Sequence, residues 1–330
     1  MSAQPPRANP ALFGHAEAAA SLAEAARSGR LAHAWLMTGP EGIGKATLAY
    51  RFARWLLAGQ PSGAALDVAE DHPAFRRVAA GTHPDLLVLE PQAEPGKRRI
   101  IKVDEARQAR SFLTLTAAEG GWRVVVMDEV DAMEAASANT ILKTLEEPPP
   151  RTVMLLVTSA PGRLLPTIRS RCRRLELGPL EPAEMEAALA AFLPDKPASE
   201  RRALATLAEG SPGQALALAE GEGVELARLA EATLSALPDA EGAHALADRI
   251  AGRDGALVFP GFFDLLLRHL SHAVRGAARG EGAAPWVARR PLAAWAEAAE
   301  AVRVLVRDTE RLSLDRRQAV LVAMETLRGR

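Results

Sequence analysis

Cysteine, lysine and long apolar runs are all scarce in this sequence of 330 residues. The single cysteine, Cys172, excludes an internal disulfide and a zinc cluster built on cysteines. A chain with so little cysteine and no apolar leader is expected in a reducing compartment, and we predict a cytoplasmic protein. No run of about 18 uncharged apolar residues occurs, so the sequence predicts no membrane span.

Neither sign of charge dominates, because the sequence has 41 acidic and 40 basic residues and a net charge of −1. This balance argues against a histone-like protein that binds nucleic acid through a global positive field, although a local basic face stays possible. The length and the 48% hydrophobic content are those of a globular chain with two or three domains.

The first half of the sequence alternates short apolar runs with helical patterns. The runs predict strands at 34–37, 86–89, 123–127, 153–157 and 174–177. Helical patterns lie between them, at 46–57, 104–115 and 132–147, and such an alternation predicts a parallel sheet covered on both faces. Beyond residue 180 the pattern is helical, and we expect Ser313 to cap the last helix.

A glycine-rich loop with the spacing of a phosphate-binding loop follows the first predicted strand: Gly39-Pro40-Glu41-Gly42-Ile43-Gly44-Lys45-Ala46-Thr47. Its glycines allow backbone N–H groups to point at phosphate, and Lys45 adds a positive charge. Ala46, however, stands where a hydroxyl usually holds Mg²⁺, and Thr47 is turned about 100° away on the helix. A glycine-rich turn without nucleotide therefore stays open, and catalysis on Mg–ATP is disfavoured.

An acidic pair, Asp128-Glu129, ends the third predicted strand. At the carboxyl end of a buried strand, such a pair suits an aspartate that faces Mg²⁺ and a glutamate that polarises water. We expect the nearby Asp131 to be a local helix cap. The histidines show no metal-ligand spacing, so no metal site is predicted.

Ser170-Arg171-Cys172 lies in an arginine-rich stretch. For most of these arginines we expect a solvated or phosphate-attracting face. Cys172 has no histidine nearby in sequence, so a small buried side chain is the expected role, not a nucleophile.

Several of these segments together resemble the clamp-loader AAA+ family. The matching segments are the phosphate loop, Gly81-Thr82-His83-Pro84-Asp85, Ile101-Lys102-Val103-Asp104-Glu105-Ala106-Arg107, Asn139-Thr140-Ile141-Leu142-Lys143-Thr144-Leu145-Glu146-Glu147-Pro148-Pro149 and Leu164-Leu165-Pro166-Thr167-Ile168-Arg169-Ser170-Arg171-Cys172. The resemblance covers roughly residues 10–220 and weakens after that. It implies a P-loop α/β domain at 1–178, a helical lid at 179–223 and an all-α collar at 224–330.

The resemblance also implies partners and a role for Arg171. Family members form a five-membered ring of gamma/tau and delta types of subunit, which loads a sliding clamp at primer–template DNA. In that ring the arginine of the Ser-Arg-Cys motif reaches the neighbour's ATP, and here this residue is Arg171. The zinc module usual in the family needs four cysteines, so no zinc is expected in this chain.

Two departures from the family pattern concern the chain's own nucleotide chemistry. Ala46 lacks the hydroxyl for Mg²⁺, and Gly213 stands where ATP-hydrolysing subunits carry a phosphate-sensing arginine. We therefore expect an ATPase-poor ring member. The retained Lys45, Asp128 and Glu129 keep nucleotide binding open, at a site that comprises Gly39, Gly42, Gly44, Lys45, Ala46, Thr47, Asp128 and Glu129. The alternatives are an active gamma/tau-like ATPase, an unrelated P-loop NTPase and, least favoured, a stand-alone nucleic-acid-binding protein.

Overall fold

The computed structural model describes residues 4–62, 66–91, 100–220, 223–252, 255–280 and 284–329. The chain divides into two units, Met1–Leu216 and Ala217–Arg330. The finer division into three parts, with boundaries after residues 178 and 223, stays a prediction.

A five-stranded parallel sheet lies at the centre of the first unit. Its strands are β1 (Ala34–Thr38), β2 (Leu86–Leu89), β3 (Arg123–Met127), β4 (Thr152–Thr158) and β5 (Arg173–Glu176). They lie in the order β2-β3-β4-β1-β5, so β1 is between β4 and the edge strand β5. The five predicted strands are confirmed, and β4 and β5 each begin one residue earlier than expected.

Side chains of the central strands alternate between two apolar clusters, one on each face of the sheet. Helices of this part of the chain are α1 (Ala16–Arg27), α2 (Lys45–Leu57), α3 (Pro73–Ala80), α4 (Val103–Thr114), α5 (Ala135–Glu146) and α6 (Pro166–Arg169). Buried residues of α1 and α2 pack on one face, whereas those of α4 and α5 pack on the other. The predicted parallel α/β fold with both faces covered is confirmed.

The helix α5 is shorter than the 132–147 predicted from the pattern. Val130–Ala132 instead forms a 3₁₀ turn, and Met133 is extended and makes a parallel bridge with Ile101. Three prolines follow the helix at 148–150, which is why it ends at Glu146.

The remaining helices follow the sheet domain. They are α7 (Pro182–Phe192), α8 (Ala198–Leu207), α9 (Pro212–Ala219), α10 (Gly223–Ser235), α11 (Ala240–Ile250), α12 (Gly255–Arg279), α13 (Leu292–Leu312) and α14 (Arg316–Arg328). In the second unit α10 packs on α12, α11 packs on α14, and α13 packs on both α12 and α14. Trp286 and Trp295 are buried there with ring centroids 5.2 Å apart. Among the described helices, none has the length and apolar character needed to cross a membrane.

The start of the last helix differs from the prediction. Ser313 does not cap α14 but ends α13 in the left-handed conformation, with φ of 52°. The carboxylate of Asp315 caps α14 by accepting a hydrogen bond from the backbone N–H of Gln318. An aspartate two residues later thus takes the capping role, and Ser313 reverses the chain between the helices.

Candidate functional site

The phosphate loop connects β1 to α2, as its sequence predicted. Gly39 has φ of 147°, and a Cβ there would lie 2.2 Å from the carbonyl oxygen of Leu177. Gly42 has φ of 74°, so it too adopts a conformation that L residues rarely enter. The tight turn that brings Lys45 to the start of α2 therefore depends on these glycines.

The side chain of Lys45 folds back over its own loop and is buried. Its Nζ donates to the carbonyl oxygens of Gly39, at 2.9 Å, and of Pro40, and to the Ser159 hydroxyl at 2.8 Å. Burial lowers the pKa of Lys45, while the negative charges of Asp128, Glu41 and Asp131 oppose that fall. All three hydrogen-bond donors of the ammonium group thus have acceptors in the protein itself.

Asp128 lies directly after β3, near enough to Lys45 for their charges to interact. Burial raises the pKa of Asp128 to about 6, and the neighbouring carboxylates of Glu129 and Glu90 add to the rise. A hydrogen bond of 2.9 Å from the backbone N–H of Glu129 to Asp128 Oδ1 opposes it. The fold therefore brings Asp128 to the same sheet edge as the phosphate loop.

Glu129 is placed differently from its neighbour. It is exposed and left-handed, with φ of 48°. Asp128 and Glu129 line a cavity of about 250 Å³ together with Tyr50 and Glu90. The Tyr50 hydroxyl donates a hydrogen bond of 2.8 Å to the carboxylate of Glu90. Burial raises the pKa of Tyr50.

Two residues of this region were missed or misassigned by the sequence reasoning. Ser159, a partner of Lys45, was missed, because only the order of strands reveals that the end of β4 lies beside β1. Asp131 was predicted to cap a helix, and this is wrong. It lies within a 3₁₀ turn and accepts a hydrogen bond from the Thr158 hydroxyl, because it faces the end of β4.

The start of α9 packs directly against the tip of the phosphate loop. Gly213 N–H donates to the carbonyl oxygen of Gly42 at 2.9 Å, and the Ser211 hydroxyl donates to that of Glu41 at 2.8 Å. A Cβ at Gly213 would lie 2.8 Å from Gly42 Cα. Only glycine fits at position 213 without moving one backbone away from the other.

Ala46 and Thr47 occupy the second and third positions of α2, and both are half-buried. Ala46 packs against the apolar cluster that covers one face of the sheet. It supplies no oxygen where the motif would place a Mg²⁺ ligand. Within the described part of the chain, no group of three His, Cys, Asp or Glu residues could hold a metal ion.

Arg171 lies in the short segment between α6 and the edge strand β5. Its Nη2 lies 2.7 Å from a carboxylate oxygen of Glu146, and its Nη1 donates to the carbonyl oxygen of Thr167 at 3.0 Å. The next residue, Cys172, is buried, as predicted, and burial raises the pKa of its thiol to about 12. None of the contacts described for Arg171 is to the chain's own phosphate loop.

Comparison with known proteins identifies the family. The model of the family described as DNA polymerase III, delta subunit, matches residues 14–181. The DNA polymerase III subunit delta' of Pseudomonas aeruginosa is 39% identical over 256 residues, which are 77% of this chain and 76% of that protein. The chain belongs to this delta-prime family.

Further relatives lie inside and outside the delta-prime family. The delta' subunit of Escherichia coli K12 is 39% identical over 199 residues, 59% of this chain and 57% of that protein. A gamma/tau subunit of Mycobacterium tuberculosis is 32% identical over 180 residues, 54% of this chain and 30% of that protein. A gamma-subunit-related structure from Thermotoga maritima aligns with a TM-score of 0.47 and 18% identity, covering 91% of this chain and 95% of that one. The matches to delta' subunits confirm the family that the sequence motifs predicted.

Proposed function

We propose that this chain is a clamp-loader subunit of the DNA polymerase III holoenzyme. In this proposal it joins gamma/tau and delta subunits in a five-membered ring in the cytoplasm, and the ring loads a sliding clamp at primer–template junctions during DNA replication. The collar of that ring would include residues 224–330. The observation that carries the proposal is the 39% identity to the delta' subunit of Pseudomonas aeruginosa over three quarters of each chain.

The chain's own ATP hydrolysis is weak or absent in this proposal. Ala46 brings no Mg²⁺ ligand, and Gly213 brings no cation to the phosphate loop. The ammonium group of Lys45 already has three acceptors, two of them carbonyls of the loop that would bind phosphate. In this proposal, a nucleotide that binds to the chain contacts the glycines of the loop, Lys45, Asp128 and Glu129, and it is not hydrolysed.

Arg171 acts on the neighbouring subunit's ATP in this proposal. A guanidinium group stays protonated and can bridge two phosphate oxygens, which suits it to stabilise a transferring phosphoryl group. Arg171 makes its described contacts with Glu146 and Thr167, and about a third of its side chain is exposed. The exposed part of the side chain supports a contact with a neighbouring subunit.

A basic groove between α4 and α5 is the surface that we propose faces the DNA. The groove has a volume of about 700 Å³, and the residues that line it are Arg107, Arg110, Ser111, Thr114, Asn139, Thr140 and Lys143. Arginine, lysine, hydroxyl and amide side chains make most contacts with DNA phosphates. The groove offers all of these, and none of the described lining residues is acidic. Arg107 also pairs with Asp104 at 3.0 Å, so Arg110 and Lys143 are the stronger candidates.

Reconstitution tests the proposal directly. The purified chain should form a stable complex with gamma/tau and delta subunits, and the complex should load the sliding clamp onto primed DNA. Lys143→Gln should weaken DNA binding by the complex and lower its salt dependence, because one phosphate contact is lost. Lys196→Gln is the matched control, since Lys196 lies on the lid and pairs with Glu200. A complex that forms without this chain and loads the clamp equally well would refute the proposal.

An active ATPase is the second candidate function. Retention of Lys45 and Asp128 favours it, as does the 32% identity to gamma/tau subunits. If the first proposal holds, the purified chain should turn over ATP far more slowly than once per second, which is the low end of ordinary enzyme rates. Turnover near that rate, abolished by Lys45→Ala, would favour the ATPase instead.

A further inference from the structure

Glu146 is the last residue of α5, and its carboxylate contacts the arginine proposed to act on the neighbour. The distance from Glu146 Oε1 to Arg171 Nη2 is 2.7 Å. About half of the Glu146 side chain and a third of the Arg171 side chain are exposed, so the pair lies at the surface. The pair joins the end of one helix to a segment 25 residues further along the chain.

The position of Glu146 is unfavourable for a carboxylate unless it has a cationic partner. The last turn of a helix carries partial negative charge, which repels an acidic side chain. Lys143, in the same turn, complements this charge, whereas Glu146 opposes it. The ion pair with Arg171 compensates for this repulsion. Because the carboxylate does not stabilise α5 by itself, we interpret its place there through its contact with Arg171.

The contacts of Arg171 hold its side chain and leave donors available. A guanidinium group has five N–H donors. The carbonyl oxygen of Thr167 takes one donor of Nη1, and the carboxylate of Glu146 lies against Nη2. The remaining N–H groups stay available for phosphate oxygens. A half-buried arginine whose side chain is already held in this way loses less rotational freedom when it binds a ligand.

We propose that Glu146 is a positioning residue for Arg171: it holds the guanidinium group in the orientation that engages the neighbouring subunit's ATP. This proposal rests on the proposed function of Arg171 as a residue that acts in trans. Glu147 provides a matched comparison, because it is the adjacent carboxylate and is exposed. No hydrogen bond or ion pair of its side chain is found among the described residues.

The test measures ATP turnover in the full reconstituted complex, with the ATP sites other than the one next to this chain inactivated in their phosphate loops. Glu146→Ala should lower kcat by about two- to fivefold, as expected for loss of an exposed ion pair, and leave KM for ATP unchanged. Glu146→Gln should recover part of the loss, because its amide oxygen still accepts a hydrogen bond. Glu147→Ala should leave both constants unchanged.

A second set of variants separates this proposal from the proposed function. In a chain that already carries Arg171→Ala, adding Glu146→Ala should lower kcat no further. An equal loss in that background would overturn the proposal, as would unchanged or faster turnover in Glu146→Ala alone. Unchanged turnover in Arg171→Ala alone would instead refute the role of the arginine, and this proposal with it. Thermal unfolding and complex assembly, measured for each variant, identify any loss that comes from misfolding.

Discussion

Replacing Asp128 by asparagine should make the folded protein more stable at pH 8, although it removes a residue of the candidate nucleotide site. Burial raises the pKa of Asp128 from 3.8 to about 6, so the folded state disfavours the ionised form. That rise corresponds to a loss of about 3 kcal/mol in the free energy of unfolding when Asp128 is ionised, since one pKa unit is about 1.4 kcal/mol. Asp128 is only half-buried, so solvent screening makes this value an upper limit, and we expect a gain of about 1–3 kcal/mol.

The gain should depend on pH in a specified direction. Between about pH 4 and pH 6 the folded protein holds a proton on Asp128 that the unfolded chain has lost. Its free energy of unfolding therefore falls as the pH rises through this window, and it stays lower above pH 6. The asparagine variant lacks this contribution, and its amide oxygen can still accept the hydrogen bond from the Glu129 N–H.

Urea unfolding at pH 4, 6 and 8 measures the difference between the two proteins. The variant should match the wild type at pH 4 and exceed it by about 1–3 kcal/mol at pH 8. Asp104→Asn is the control, because the side chain of Asp104 is 89% exposed and should change stability by less than about 0.5 kcal/mol. A variant that is no more stable at pH 8, or equally stabilised at every pH, would refute this reasoning.

Three further predictions concern packing. Gly213→Ala should destabilise the contact with Gly42 by about 1–3 kcal/mol and lower the melting temperature, whereas Gly162→Ala should not, because an added methyl group there meets nothing within 4 Å; equal melting temperatures would count against the tight contact. Cys172 should stay unreactive toward a thiol reagent at pH 8 until the protein is unfolded, since burial raises its pKa to about 12; rapid labelling of the folded protein would contradict this. Trp295→Ala should cost about 3–5 kcal/mol in urea unfolding, because its ring is fully buried; a loss below 1 kcal/mol would show that the site collapses.

The strands of the sheet and the phosphate loop could be predicted from the sequence because each has a local signal. Continuous apolar runs mark the buried strands, and the glycines before Lys45 mark the turn into α2. The order of the strands has no local signal. Ser159 was missed for this reason, since it reaches Lys45 only because β4 lies beside β1.

Errors at helix ends have the same origin. Ser313 and Asp315 are both capable N-caps, and the choice between them depends on where α13 ends. Asp131 resembles a cap in sequence but faces the Thr158 hydroxyl at the end of β4. The partner of Arg171 is equally hidden, because Glu146 is 25 residues away and on another helix. The sequence motif singled out Arg171 as a candidate, whereas its contact with Glu146 is visible only in the fold.

ATP turnover by the assembled complex tests the central claim most directly, which is that this chain acts on its neighbour's nucleotide through Arg171. With the other ATP sites inactivated, Arg171→Ala should leave the complex assembled and lower turnover at the adjacent site by a factor on the order of 10³. Arg171→Lys should restore little, because a lysine cannot bridge two phosphate oxygens in the same way. Full turnover by a complex that carries Arg171→Ala would contradict the account.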